Sequence, residues 1–372
     1  MADHPTRAVI DLAALSHNLK IIRQRIGPGT KLLVVVKANA YGHGARELAF
    51  HLQKEGVDML GVAFIEEGVA LRQSGITLPI LVMTGSLPDQ MEMALEWNLT
   101  LSISDLDTVE VLSHLASKLN LSAKIHVKVD TGMGRLGFPF EDALNAIRSI
   151  YSLPHIELKG ICTHLSTADE PDPTYTRYQT ERFRNLRDSL SGYGIPLPMF
   201  HMGNSGAVLQ HPETYLDMVR VGIMVYGIAP SLKLQDVLPI RPIMSLKTKI
   251  IHIKKVAKGA SLSYGRTYVC PSEKLIAIIP MGYSDGLLRC MAGKIHVLVK
   301  GVRIPVVGTV CMDMCLLDVT GIEGVKIADE AVLIGSQGEE TITAHDWAAW
   351  QDTIPYEVLC AIGPRVKRIY QD

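Results

Sequence analysis

Eight short apolar runs alternate with helix-patterned stretches over the first 230 or so residues of this 372-residue chain. The runs fall near Leu32–Val36, Met59–Ala63, Ile80–Met83, Leu99–Ile103, Ile125–Val129, Leu158–Cys162, Leu197–His201 and Met218–Val221. Apolar residues recur at helical spacing between them, over Ala45–Leu52, Glu66–Arg72, Asp105–Leu119, Phe140–Tyr151 and Tyr175–Leu190. A further helix over Leu12–Ile26 is expected, capped by Asp11 and ended by Gly27-Pro28-Gly29. Continuous aliphatic runs such as Leu32-Leu33-Val34-Val35-Val36 suit strands covered on both faces, as in parallel sheets. Repeated βα units of this length suit a closed (β/α)8 barrel. An open doubly wound sheet is the alternative, but Ala40-Tyr41-Gly42-His43-Gly44 after the first run lacks the glycine spacing of a dinucleotide-binding turn.

The texture changes after about Pro239. Val297-Leu298-Val299, Val302–Gly308 and Leu316–Val319 are short β-type runs punctuated by glycine. The expected organisation is an α/β barrel over residues 1–238 and a mostly β domain over 239–372, joined near Leu232–Pro242, with the first few residues available to pair with the second domain. The 37 basic and 38 acidic side chains leave a net charge of −1, which gives no electrostatic footprint for nucleic acid or an anionic membrane. Residues 1–7 hold no apolar signal core, and no apolar stretch reaches the roughly 18 residues of a spanning helix. The six cysteines are scattered without zinc-site spacing, so no metal is expected, and reduced thiols in a cytoplasmic protein are the expectation.

Barrel enzymes build their sites at the C-terminal ends of the strands. The first strand ends in Lys37, followed by Tyr41, and desolvation there favours the free amine that Schiff-base chemistry needs. A lysine that snorkels out from a core strand is the plainer reading. The fifth strand runs through Lys128 to Arg135, the sixth ends in Thr163-His164, the seventh in His201–Ser205 and the eighth in Arg220-Val221-Gly222-Ile223. Taken singly, a strand-end histidine is a hydrogen-bonded structural residue and Arg220 a member of an ion pair. Together they surround one mouth with cations and hydroxyls. Asn204-Ser205-Gly206 opens a helix whose free amides suit a phosphate, although Ser205 also suits a cap. Gly222 lets the backbone come close to such a ligand. A lysine on the first strand and a phosphate cradle after the seventh and eighth point to pyridoxal phosphate.

Several segments, in order, carry a closer resemblance: Val35–Gly44, Lys128–Gly137, Met218–Gly222, Ser263-Tyr264-Gly265, Gly282–Gly286 and Val310–Asp313. On these motifs the chain resembles the bacterial alanine racemases, pyridoxal-phosphate enzymes of the barrel type, over essentially its whole length. The resemblance implies that Lys37 bonds the cofactor and serves as one base, and that Tyr264 is the second base, delivered from the β domain of a second subunit. It implies that Tyr41, Asn204, Ser205, Gly222, Ile223 and Tyr356 hold the phosphate, and that Arg220 faces the pyridine nitrogen. Arg135 and the Met312 amide would take the substrate carboxylate, with Tyr283 and Tyr356 narrowing access to suit a methyl side chain. A tyrosine ordinarily titrates at about 10, so Tyr264 needs charge or hydrogen bonding to act near neutrality, and His164 and Arg220 are the family's candidates for that network. Lys128 matches a lysine that is carbamylated in many relatives; the plain reading is an ordinary lysine between barrel and helices.

The resemblance implies interconversion of L- and D-alanine, supply of D-alanine for peptidoglycan, and a homodimer with shared sites. A broad-specificity amino-acid racemase is the nearest alternative. A non-catalytic pyridoxal-phosphate-binding protein would have no need of a second base. A barrel decarboxylase would carry an acidic residue where Arg220 stands.

Overall fold

The computed structural model describes residues 4–193 and 195–372; the first three residues of the N-terminal stretch discussed above lie outside the described residues. The chain forms two compact units. One comprises Ser16–Ala40 and Ala45–Ile240; the other comprises the described residues up to Leu15, Tyr41–Gly44 and Arg241–Asp372.

The first unit is a closed parallel barrel. After an N-terminal strand β1 (Arg7–Asp11) that belongs to the other unit, the chain makes β2 (Lys31–Val35), β3 (Met59–Val62), β4 (Ile80–Val82), β5 (Thr100–Ile103), β6 (Ala123–Asp130), a two-residue β7 (Phe138–Pro139), β8 (Ile156–Cys162), β9 (Met199–His201) and β10 (Met218–Val221). The eight long strands run β5-β4-β3-β2-β10-β9-β8-β6, and β5 pairs with β6 to close the ring. Arg220 lies opposite Leu33 at one seam and Leu101 opposite Ile125 at the other. Closure at both seams excludes the open sheet. Leu32, Leu33, Val34, Leu60, Val62, Ile80, Val82, Ile125, Val127 and Val219 are all buried to within 1%, as runs covered on both faces require. The helix Leu12–Ile26 starts with the Asp11 carboxylate accepting from the Ala14 amide at 2.7 Å, and Gly27, at φ 77°, terminates it. No helix among the described residues is long and apolar enough to cross a membrane.

The second unit is built on a largely antiparallel sheet. Its strands are β11 (Met244–Lys249), β12 (His252–Val256), β13 (Ser261–Leu262), β14 (Tyr268–Val269), β15 (Lys274–Ile279), β16 (His296–Val299), β17 (Val302–Val307), β18 (Cys315–Asp318), β19 (Glu330–Gln337), β20 (Glu340–Ile342) and β21 (Lys367–Gln371). They run β12-β15-β18-β17-β16-β19-β11-β1-β21, with β20 beside β19. The N-terminal strand β1 is thus an inner strand here, antiparallel to β11 and parallel to β21. The separate β13–β14 pair carries the turn that holds Tyr264 and packs Leu262 and Cys270 with Ile276, Val307 and Leu316.

Candidate functional site

Lys37 follows the end of β2, which the buried Tyr226 hydroxyl anchors by donating to the Val35 carbonyl at 2.6 Å. The backbone then makes an unusual turn. Ala38, Asn39, Ala40 and Tyr41 all take left-handed conformations, with φ between 51° and 54°. L-residues resist this by about 1–2 kcal/mol each, so the turn must be held from outside. Glu67 holds it. One carboxylate oxygen accepts from the Ala38 amide at 2.7 Å and the other from the Ala63 amide at 2.7 Å. The Asn39 side chain accepts from the Ala45 amide at 2.9 Å, and the Ala40 amide donates to the Val36 carbonyl at 2.8 Å. Glu67→Ala is expected to destabilise the chain by about 2–4 kcal/mol, since the amides of Ala38, Ala63 and Phe64 lose a charged acceptor. Glu67→Gln, which keeps one acceptor oxygen, loses less; equal urea midpoints for both variants and the parent would contradict the assignment.

On β10, the strand next to β2, Arg220 is buried at 8% exposure, and its hydrogen-bond acceptors among the described residues are neutral. Nη1 donates to His201 Nδ1 at 2.8 Å; Nη2 donates to the Thr163 carbonyl at 2.7 Å, the Met202 carbonyl at 3.0 Å and, at 3.3 Å, to His164 Nδ1. Lys128, on β6 beside Cys162 of β8, is held below the usual lysine range by burial and by the charges of Arg220, Arg135 and Lys37, against an opposing effect of Cys162. Among the described residues no ion pair joins Arg220, Lys128 or Arg135 to a carboxylate. No carboxylate among the described residues therefore offsets the buried charge of Arg220, and its surroundings suit an anion. Arg135 itself is exposed.

The histidines of this region respond to the same field. Burial, then the charge of Arg220, pushes His126 down to about 3 and His164 and His201 well below 6.5. Unfolding returns the rings to a pKa of about 6.5. Below that pH the unfolded chain takes up protons that the folded chain refuses, so stability falls as pH falls. Each ring contributes about 1.4 kcal/mol per pH unit, and urea unfolding at pH 5.5 is expected to show about 4 kcal/mol less stability than at pH 7.5 from these three groups. A flat profile would show charged rings in the folded chain.

The loops after β9 and β10 are laced together. The Ser205 hydroxyl accepts from the Gly222 amide at 3.0 Å, and Ile223 is fully buried beside it. The cap of the short helix Ser205–Gln210 is Asn204, whose side-chain oxygen accepts from the Ala207 amide at 3.0 Å. The capping role considered for Ser205 is thus taken by its neighbour, which leaves Ser205 to bridge the two loops.

The remaining candidates lie in the sheet unit. Tyr41 is buried, and its ring centroid is 5.9 Å from that of Tyr356. Burial, with Tyr356 and Cys360 nearby, raises the Tyr41 phenol above its usual range. Tyr264, Tyr283 and Met312 are 69%, 40% and 51% exposed. The Tyr264 carbonyl accepts from the Thr309 hydroxyl at 2.9 Å. The amides of Tyr283 and Ser284 donate to the Cys311 and Met312 carbonyls at 3.0 and 3.1 Å. Arg365, which no sequence pattern singled out, ties these loops: it donates to the fully buried Asp285 at 3.0 Å and to Asp313 at 2.8 Å. The Asp285 carboxylate also accepts from the Gly282 amide at 3.0 Å.

A closed parallel barrel followed by a sheet domain is the architecture of a class of barrel enzymes, which build their sites at the C-terminal ends of the strands. The model for the alanine racemase N-terminal domain matches residues 10–230, and that for the alanine racemase C-terminal domain matches residues 243–370. The chain belongs to the alanine racemase family. It is 45% identical to alanine racemase 2 of Caldanaerobacter subterraneus subsp. tengcongensis, over 98% of this chain and 95% of that one, and 44% identical to the alanine racemase of Desulforamulus reducens, over 98% and 99%. Among solved structures, the alanine racemase of Clostridium difficile 630 superposes with a TM-score of 0.95 at 39% identity, covering 100% of this chain and 97% of that one.

Proposed function

We propose that this chain is an alanine racemase that interconverts L- and D-alanine with pyridoxal phosphate and two opposed bases. The observation that carries the reading is the buried Arg220 on β10, held by neutral acceptors among the described residues, in a chain of this family. That donor set fits an anionic cofactor: Ser205, Asn204, Gly222, Ile223, Tyr41 and Tyr356 are the residues to hold its phosphate, and Lys37 its aldehyde carbon. When bound, pyridoxal phosphate supplies the electron sink that acidifies the Cα–H of an amino acid condensed with it.

The chain's own residues do the rest. Lys37 Nζ takes or returns the Cα proton on one face, and the Tyr264 phenol, contributed by a second copy of the chain, serves the other. Arg220 would serve the cofactor's ring nitrogen as a donor; a guanidinium stays charged and does not readily give up its proton, so the ring would be a weaker electron sink and side reactions would be restrained. Arg135 and the Met312 amide receive the substrate carboxylate. Tyr283 and Tyr356 confine the side chain, and a pocket that narrow favours methyl over larger groups. His164, hydrogen-bonded to Arg220, belongs to the network around the second base.

Carbamylation of Lys128 relieves the repulsion among four cations by converting one of them to an anion that orients Arg135. Intact-protein mass and peptide mapping under native conditions are expected to place one added carbon dioxide on Lys128; an unmodified lysine in active enzyme would rule this out. The homodimer, a cytoplasmic setting with reduced thiols, and supply of D-alanine for peptidoglycan complete the reading. The test is polarimetry: purified protein with pyridoxal phosphate is expected to bring L-alanine to zero rotation. Unchanged rotation with the cofactor bound would overturn the proposal.

A further inference from the structure

Behind Arg220 the barrel holds two histidines whose protons are assigned by geometry. A guanidinium has donors only, so His201 Nδ1, 2.8 Å from Arg220 Nη1, is an acceptor and the His201 proton sits on Nε2. That Nε2 lies 2.8 Å from His126 Nδ1, which must therefore accept, leaving the His126 proton on its own Nε2. This last N–H is buried with no hydrogen-bond partner among the described residues. Both rings have zero exposure and meet nearly edge to face, at 64°. A second proton on either ring would set two N–H groups against each other or against Arg220. The pair is locked neutral, in agreement with the downward push on both rings from burial and from Arg220.

The lock has a seat. A Cβ at Gly160 would come within 2.8 Å of His126 Nδ1 and Cε1, closer than real contacts allow, so glycine on β8 leaves the ring its place. His126 and Gly160 have no part in the chemistry set out above.

We propose that His126, seated on Gly160, is a positioning residue that acts through His201 to hold the Arg220 guanidinium in one orientation, supported by neutral acceptors. The relay is a property of the chain itself; its effect on catalysis rests on the reading of Arg220 as the partner of the cofactor's ring nitrogen.

Nitrogen-15 NMR of histidine-labelled protein, assigned by single substitutions, tests the relay without reference to activity. Both rings are expected to stay neutral, as the Nε2–H tautomer, from about pH 8 to about pH 5.5, where a free imidazole would protonate. Titration of either ring in that interval, or an Nδ1–H tautomer, would overturn the proposal. His126→Asn places a carbonyl oxygen near the position of Nδ1, whereas His126→Leu removes the acceptor. In the loaded enzyme His126→Leu is expected to lower kcat about tenfold with little change in KM and to shift the visible absorbance of the bound cofactor. His126→Asn should restore most of both, and Gly160→Ala should behave as His126→Leu does. Equal behaviour of the Asn and Leu variants would sink the proposal. If the NMR result holds but the protein neither binds the cofactor nor racemises alanine, the functional reading fails and the relay stands. If the enzyme racemises alanine and the rings titrate, only the relay fails.

Discussion

Lys37→Ala is expected to lose racemase turnover by about 10⁴-fold or more, because the substitution removes both the amine that bonds the cofactor and one of the two proton-transfer groups, each a large term. The purified variant should also lack the visible absorbance that borohydride quenches in the parent, and peptide mapping of the reduced parent should place the label on Lys37. Stability should change little, since Lys37 stands at the rim and Glu67 and Asn39 hold the turn that follows it. A variant that keeps turnover, or a label on a different lysine, removes the foundation of the proposed mechanism. Lys128 is the informative control: it is the other lysine beside Arg220, but it projects from mid-strand rather than from the strand end.

The second large effect belongs to Tyr264. Tyr264→Phe is expected to slow racemisation by about 10²–10⁴-fold, the usual contribution of a positioned proton-transfer group. The loss should be one-sided. In deuterium oxide the variant is expected to go on exchanging the α-hydrogen of one enantiomer while failing to invert it, because Lys37 still serves its own face. Loss of exchange from both enantiomers alike would argue against two separate bases. Tyr264 is 69% exposed in the single chain, as a side chain supplied to a neighbour's site has to be. Mixing Lys37→Ala with Tyr264→Phe protein should then restore up to about a quarter of parental activity, since half of the randomly formed dimers carry one intact site of two. No recovery after confirmed subunit exchange would place Tyr264 in its own chain's site or outside catalysis.

Much of this molecule is legible along the chain because its signals are local. The five aliphatic residues before Lys37 specify a strand covered on both sides, and Asp11 and Gly27 mark the two ends of the first helix by capping chemistry that spans a single turn. The motifs around Lys37, Arg135, Arg220, Tyr264 and Met312 are contiguous stretches, so family membership is readable without coordinates. Asn204 and Ser205 show where local reading weakens: both suit a cap, and only the position of Gly222, brought alongside by β10, decides that Asn204 caps while Ser205 joins the two loops.

The order of strands and helices, the proposed reactive lysine and the kind of chemistry to expect are thus written in short-range pattern, since a few neighbouring side chains suffice to state each of them. The left-handed turn after Lys37, the single-tautomer histidine pair behind Arg220 and the tie from Arg365 to Asp285 are not. They join residues 29, 75 and 80 positions apart, and each exists because closing the barrel or folding the sheet removes water from groups that must then satisfy one another. Charge follows the same rule: Lys128 is an ordinary amine by composition, and the fold lowers its pKa first by burial and then by the charges of Arg220, Arg135 and Lys37.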